Sequence, residues 1–378
     1  MTKTRILIVA GEPSGDLHAS NLVDNLKLLK PGLRFFGIGG SLMKRSGVDI
    51  VFDISKLALV GVVEVLKNIS VVEKAYRTLL GRIDLEKPDI AILVDYPGFN
   101  LRLASELKKR SIPVIYYISP QIWAWGAGRI NTIKRCVAKI IVFFKFEEEL
   151  YKASGVDAEF VGHPLIDTVK VTLPKDETLK AYDMTKGRPV IALLPGSRPS
   201  EVNSLLSAML SGAAIIDKRL KGAQFVIAKY AGLPRELYED AVKKSGLDVR
   251  IAEGDTYNIL AAADLAVVAS GTATLETAII GTPLIIVYKA NLITYILYHM
   301  VSTTRFLGLV NIIAGRQIAP ELLQYRMTPE NIAENAARIL EDKPLADRMR
   351  KELEAVKTSL GSSGAAKRAA LSILPFLQ

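Results

Sequence analysis

The sequence predicts a doubly wound α/β protein in two domains, and three observations carry that prediction. Short, near-continuous apolar runs recur along the chain, as in strands buried on both faces of a parallel sheet. Helical patterns lie between these runs, the alternation that builds open parallel sheets. The alternation breaks once, after His163-Pro164, in a stretch holding Pro174, Lys175, Asp176, Glu177, Lys186, Gly187 and Pro189, and then restarts.

In the first half, residues 5–10 are the first strand. Their apolar run stops at Gly11-Glu12, too short and wrongly flanked for a secretory signal. A helix follows near 17–29. Residues 34–37, 90–94, 114–118 and 139–144 read as further strands, with helical spacing between them, as at 105–110. Residues 171–189 read as a polar linker. In the second half 190–194, 224–228, 249–251, 265–268 and 284–287 read as strands, with a helix near 202–218. The tail is a helix over 344–360, a break at Gly361-Ser362-Ser363-Gly364, and a last helix over 365–374. The expected organisation is therefore two Rossmann-like domains, 1–170 and 171–345, with a helical tail, 346–378, and a cleft between the domains.

Composition excludes several classes. Of 378 residues 49% are hydrophobic and 23% charged, which rules out wholesale disorder. The single cysteine, Cys136, excludes an intrachain disulfide framework and a cysteine-only metal cluster. Three scattered histidines, His18, His163 and His299, argue against a histidine-rich metal site. No stretch approaches the roughly 18 apolar residues of a membrane span, so the expectation is a cytoplasmic protein. A net charge of +10 fits nucleic acid, an anionic membrane surface or a phosphate-rich substrate equally well. The basic residues are dispersed and no aromatic-basic RNA motif appears, so a nucleic-acid role is the weakest of the three.

In parallel sheets ligands bind beyond the carboxyl ends of the strands, and five loops there could carry chemistry. Gly11-Glu12-Pro13-Ser14-Gly15-Asp16 permits close backbone approach and suits an anion or hydroxyl-rich ligand at a helix start. It reads equally as a plain turn with Ser14 or Asp16 as N-cap. Asp95, at the tip of a buried strand in Asp95-Tyr96-Pro97-Gly98-Phe99-Asn100, is placed for proton abstraction, and partial desolvation would raise its basicity. A turn or N-cap aspartate is the commoner role. Ser119-Pro120-Gln121-Ile122-Trp123-Ala124-Trp125 holds both tryptophans, which suit a ligand wall or the core. Leu194-Pro195-Gly196-Ser197-Arg198-Pro199-Ser200-Glu201 combines small residues with a forked cation, a set suited to a diphosphate. Ser270-Gly271-Thr272-Ala273-Thr274-Leu275-Glu276 repeats the small-residue helix start. Its Glu276 suits two ribose hydroxyls or a capping box. Two anion-suited loops in one half and a base-suited aspartate in the other imply a split site. No Asp-x-Asp metal set stands in these loops, so Arg198 and helix dipoles are expected to neutralise a diphosphate without metal or other cofactor.

Taken together these stretches resemble the lipid-A-disaccharide synthase family of GT-B-fold glycosyltransferases. Ala10 to Asp16, Asp95 to Asn100, Ser119 to Trp125, Val161-Gly162-His163-Pro164, Leu194 to Arg198, Ser270 to Glu276, Val310-Asn311-Ile312-Ile313-Ala314-Gly315-Arg316 and Pro320-Glu321-Leu322-Leu323-Gln324 occur in family order over nearly the whole chain. The resemblance implies transfer of the sugar of UDP-2,3-diacylglucosamine to 2,3-diacylglucosamine 1-phosphate. The products are a β-1,6-linked disaccharide 1-phosphate, formed with inversion, and UDP. It implies Asp95 as the base on the acceptor 6-hydroxyl, Arg198 on the diphosphate and Glu276 on the ribose, with Gly196, Ser197, Ser270, Gly271, Thr272, Thr274 and Asn311 completing the donor site. Asn311 would hold the diphosphate or the donor sugar. On the acceptor side it implies Gly11, Glu12, Ser14, Gly15, Asp16, Gln121 and Trp123. The tail is expected to cross back onto the first domain, and some relatives exchange it between two chains, which makes a swapped homodimer an option. Gly126 stands where relatives often carry a basic residue.

Both implied substrates carry acyl chains. The stretch 57–66 has more apolar residues than one helix face needs, and Lys56, Lys67, Lys74 and Arg77 surround it. Leu59, Val60, Val62, Val63 and Leu66 are therefore candidates for insertion beside anionic lipid, peripherally at the inner membrane, or for an ordinary buried helix. Two other functions share the architecture: an enzyme like UDP-GlcNAc 2-epimerase, and a non-catalytic nucleotide-sugar or lipid-binding protein.

Overall fold

A computed structural model describes residues 4–57, 69–124, 128–289 and 304–377. Leu59, Val60, Val62, Val63, Leu66, Trp125 and Gly126 lie outside the described residues. The chain divides into two compact units, Met1–Pro164 with Leu360–Gln378, and Leu165–Ser359.

The first unit is a seven-stranded sheet, and every pairing in it is parallel. Its strands are β1 (Arg5–Ala10), β2 (Arg34–Gly39), β3 (Val48–Asp53), β4 (Ile90–Val94), β5 (Val114–Tyr117), β6 (Lys139–Val142) and β7 (Ala158–Phe160), in the order β3-β2-β1-β4-β5-β6-β7. β1 and β4 are buried along nearly their whole length because helices cover both faces. Alternate residues serve opposite cores: Leu7, Val9, Ala91 and Leu93 pack in one, and Ile6, Ile8, Ile90 and Ile92 in the other.

The second unit repeats the plan with β8 (Val190–Leu194), β9 (Gln224–Lys229), β10 (Val249–Glu253), β11 (Leu265–Ala269), β12 (Leu284–Tyr288) and β13 (Glu321–Leu323). Their order is β10-β9-β8-β11-β12-β13, again with parallel pairings. Each sheet has one position where the winding reverses, between β1 and β4 in the first unit and between β8 and β11 in the second. A crevice opens beyond the strand ends at such a switch point. The loops after these four strands are the ones that carry Gly11–Asp16, Asp95, Gly196–Arg198 and Ser270–Glu276.

Two boundaries differ from the sequence reading. Residues 171–189 are not all linker, because a helix runs over Lys175–Ala181 with Asp176 and Glu177 in its first turn and buries Thr178 and Leu179. The return to the first unit begins at Leu360 rather than at 346. The helix Lys343–Ser359 turns Ala346, Met349, Leu353 and Val356 inward and packs on the helices Thr272–Ile280 and Leu309–Ala314 of the second unit. The helix Ala365–Ile373 then packs on the helix Pro13–Leu29, burying Ala369, Ala370 and Ile373 among Ile6, Leu22 and Leu26. Arg368 ties this return down by donating from Nε to the Val161 carbonyl at 2.7 Å. No helix among the described residues is long and apolar enough to cross a membrane.

Candidate functional site

In the second unit the two loops at the switch point line one pocket of about 550 Å³. Gly196, Ser197, Arg198, Ser270, Gly271, Thr272 and Glu276 all line it, so seven of the nine donor-side residues named from sequence converge there. Lys229 at the end of β9, Tyr230 and Gly254 just after β9 and β10, and Thr256 and Tyr257 at the start of the helix Thr256–Ala262 add to the wall.

Glu201 sets the first of these loops. Its Oε2 accepts the Ser197 and Arg198 amides at 3.1 and 3.3 Å, and its Oε1 accepts from Arg198 Nη1 at 3.1 Å. Gly196 has φ +112°, and a Cβ there would lie 2.4 Å from Glu201 Oε2, so only glycine allows this closure. The two amides are thereby occupied. The loop's capacity for an anion rests instead on the Ser197 hydroxyl and the Arg198 guanidinium. The Arg198–Glu201 pair is solvent-exposed on the arginine side. Such a pair contributes about 0.2–1 kcal/mol, so a diphosphate can displace it.

Glu276 is half-buried at the pocket wall. Burial pushes its carboxyl above the ordinary range, and the Tyr257 hydroxyl, donating to Oε1 at 2.9 Å, draws it back down.

Two donor-side expectations meet a different geometry. Thr274 is fully buried and its hydroxyl donates to the Gly271 carbonyl at 2.8 Å, closing the first helical turn rather than facing the pocket. Asn311 is also fully buried. Its Oδ1 accepts the Ile318 and Ala319 amides at 2.8 and 3.0 Å, and its Nδ2 donates to the Ala319 carbonyl at 2.9 Å and to Glu321 Oε1 at 2.8 Å. All four of its hydrogen-bonding positions are used within the protein. Glu321 in turn accepts the Leu307 and Gly308 amides, capping the helix Leu309–Ala314. The motif around Asn311 thus builds a turn, and Asn311 is not among the residues that line the pocket.

In the first unit Asp95 and Tyr96 both adopt the left-handed conformation, each with φ 47°. Two consecutive non-glycine residues there cost about 1–3 kcal/mol each, a strain that surrounding contacts must offset. They do. The Asp95 amide donates to the Tyr117 carbonyl at 3.1 Å. The Asp95 carbonyl accepts from Asn100 Nδ2 at 2.8 Å and from the Tyr116 hydroxyl at 2.6 Å. The Tyr96 ring lies against Gly11, where a Cβ would come within 2.2 Å of Cδ1, so glycine is required for this approach. Burial pushes the Asp95 carboxyl up to about 6, and the charge of Glu12 adds to the effect.

The remaining acceptor-side residues separate. Glu12 and Ser14 are exposed at the β1 loop. Gly15 is buried, and a Cβ there would lie 3.3 Å from the Ala10 side chain, so its absence lets helix and sheet meet closely. Asp16 meets a different geometry from the cleft position expected of it: its carboxylate is buried and accepts the amides of Gly40, Leu42 and Met43 at 2.7, 3.0 and 3.1 Å, capping the helix Ser41–Arg45. Gln121 is exposed. Trp123 is half-buried, packs edge-on against Phe146 and donates its indole N–H to Glu147 Oε1 at 2.9 Å. Glu147 is buried, which pushes its carboxyl up to about 7.

The sequence reading named Glu201 in its loop without a role and did not single out Tyr116, Glu147, Lys229 or Tyr257. Lys229 and Tyr257 stand beside or after strands, on the sheet edge already searched, so extending the same rule to β9 and β10 finds them. Among the described residues no group of three or more histidine, cysteine, aspartate or glutamate side chains could hold a metal ion.

Two doubly wound parallel sheets, each with ligand-suited loops at its switch point, define the GT-B architecture of nucleotide-sugar enzymes. Solved structures share it. UDP-GlcNAc 2-epimerase from Neisseria meningitidis bound to UDP-GlcNAc aligns with a TM-score of 0.66 at 12% identity over 98% of this chain and 100% of that one. The calicheamicin glycosyltransferase CalG4 aligns with a TM-score of 0.61 at 16% identity over 100% and 99%. At such identities the likeness concerns fold alone. Sequence supplies the rest: the family model described as lipid-A-disaccharide synthetase matches residues 6–373. The lipid-A-disaccharide synthase of Syntrophus aciditrophicus strain SB is 44% identical over 100% of this chain and 99% of its own. That of Geobacter sulfurreducens is 40% identical over 100% and 98%. The chain belongs to the lipid-A-disaccharide synthase family. It is a glycosyltransferase of lipid A biosynthesis, and the epimerase alternative is not favoured.

Proposed function

We propose that the chain transfers the sugar of UDP-2,3-diacylglucosamine to the 6-hydroxyl of 2,3-diacylglucosamine 1-phosphate in a single inverting displacement. The observation that carries this is Asp95, a half-buried carboxylate at the tip of β4, held on a strained backbone and raised to about 6. A base near that value is largely ionised at neutral pH yet more basic than an ordinary aspartate, the combination that general-base catalysis on an alcohol needs. Asp95 takes the proton of the acceptor hydroxyl as its oxygen attacks the anomeric carbon, and UDP leaves with the bonding pair. In the second unit Arg198 and Ser197 receive the diphosphate, assisted by the amino end of the helix Thr272–Ile280, and Glu276 accepts the ribose hydroxyls. Those cationic and dipolar groups offset the leaving-group charge without a metal ion. The acyl chains of both substrates bring the protein to a bilayer surface, and the net charge of +10 favours an anionic one.

The test is to incubate the purified chain with both substrates in EDTA and analyse the product by mass spectrometry. The tetraacyl disaccharide 1-phosphate and UDP are expected. Product that forms with magnesium but not with EDTA would overturn the metal-free mechanism, and no product under either condition would overturn the substrate assignment.

A further inference from the structure

The pocket of the second unit holds a hydrogen bond that the reaction scheme does not use. Tyr257, at the start of the helix Thr256–Ala262, donates its phenolic hydroxyl to Glu276 Oε1 at 2.9 Å, and both side chains line the pocket. The two helices that carry them pack against each other. Glu276 Oε2 has no protein partner among the described residues and is not sealed from solvent. One oxygen of the carboxylate is thus fixed by the protein, and the other is open to a ligand.

The chemistry of this arrangement is selective. An ionised carboxylate only accepts hydrogen bonds, whereas a protonated one also donates. A buried glutamate drifts toward the protonated form, and a phenol donating to it opposes that drift. The same bond removes rotational freedom from a flexible side chain before the ligand arrives, so less order is lost on binding. A vicinal diol presents two O–H donors to such an acceptor. A sugar without those hydroxyls leaves the carboxylate desolvated and unmatched, which costs affinity.

We propose that Tyr257 is a positioning residue that makes the pocket select a ribonucleoside diphosphate over its deoxy counterparts, acting through Glu276. This rests on the reading of Glu276 as the ribose acceptor. Tyr257 itself touches no reacting atom.

The experiment measures affinities of UDP and 2′,3′-dideoxy-UDP by calorimetry for the full chain and for Tyr257→Phe and Glu276→Gln, with donor KM and kcat beside them. Tyr257→Phe deletes one pocket-facing oxygen and keeps the ring. The unaltered protein is expected to prefer UDP by about tenfold or more, the scale of a charge-assisted hydrogen bond. Glu276→Gln abolishes most of that preference. Tyr257→Phe reduces it at least threefold, entirely through weaker binding of UDP, and donor KM rises more than kcat falls, as for an interaction made in both ground and transition states. If Tyr257→Phe keeps the full preference, or weakens both nucleotides equally, the positioning role is refuted while the ribose reading stands. If the unaltered protein and Glu276→Gln bind both nucleotides alike, the ribose reading fails and takes the inference with it.

Discussion

Acidification should switch the reaction off near pH 6, because the base must be ionised to accept a proton. The Asp95 carboxyl sits at about 6 rather than the ordinary 3.8. At about 6 the ionised fraction is roughly 0.9 at pH 7 and roughly 0.1 at pH 5, so kcat/KM falls about tenfold over that interval. An ordinary aspartate would still be roughly 0.9 ionised at pH 5 and the rate would scarcely change. Two causes raise the group, burial first and the Glu12 charge second. Glu12→Gln removes the smaller cause, so the acid limb should move to lower pH by about one unit or less. The assay is the initial rate of disaccharide formation at subsaturating donor and acceptor from pH 4.5 to 8, with UDP affinity measured at each pH to separate binding from chemistry. A limb near pH 4 in the unaltered protein, or one that Glu12→Gln leaves in place, would refute the reasoning.

Three other outcomes follow from the geometry. Glu147 rises from the ordinary 4.5 to about 7 through burial, so its contribution to folding is fully present below about 4.5 and lost as pH rises through about 7. Glu147→Gln should therefore gain on the unaltered protein by about 3 kcal/mol at pH 8 and by little at pH 4, and urea denaturation at both pH values will show this or, by parallel curves, contradict it. Asn311→Ala strips partners from two buried amides, a carbonyl and Glu321, and should cost about 2–4 kcal/mol of stability. Unchanged stability together with lost donor binding would return Asn311 to the ligand site. Arg198→Lys keeps the charge and loses the fork, so UDP affinity should fall about tenfold with the melting temperature unchanged, and an unaltered affinity would remove Arg198 from the diphosphate site.

Much of this was legible in the sequence because buried parallel strands are apolar throughout. β1, β4, β8, β11 and β12 are such runs, and their ends located the loops at both switch points. Of the four edge strands only β10 was legible. β3 reads Val-Asp-Ile-Val-Phe-Asp and is mostly half-exposed, whereas β7 and β13 span three residues each, too short for any period to register. The roles of polar residues depended on how far away their partners lie. Asp95 drew notice from its strand tip, where a turn aspartate is the commoner reading. Asp16 caps a helix whose amides lie 24 to 27 residues further along, and Asn311 accepts amides seven and eight residues on, just before β13. No local spacing encodes such contacts, so the intramolecular partners of Asp16 and Asn311 could not be read from the sequence. Glu201 shows the converse. It sits three residues beyond Arg198 in plain view, but its carboxylate occupies amides that the loop composition alone had left to the phosphate.

In the proposed mechanism a carboxylate on the first unit performs the proton transfer and has no part in holding the nucleotide. Asp95→Asn tests it most directly, since it keeps the side-chain shape and removes the basic oxygen. Disaccharide formation is measured alongside UDP binding. The rate is expected to fall by about 100-fold or more, the usual worth of a general base, with UDP affinity within about twofold of the unaltered protein. A near-normal rate, or a loss of UDP affinity matching the loss of rate, would contradict it.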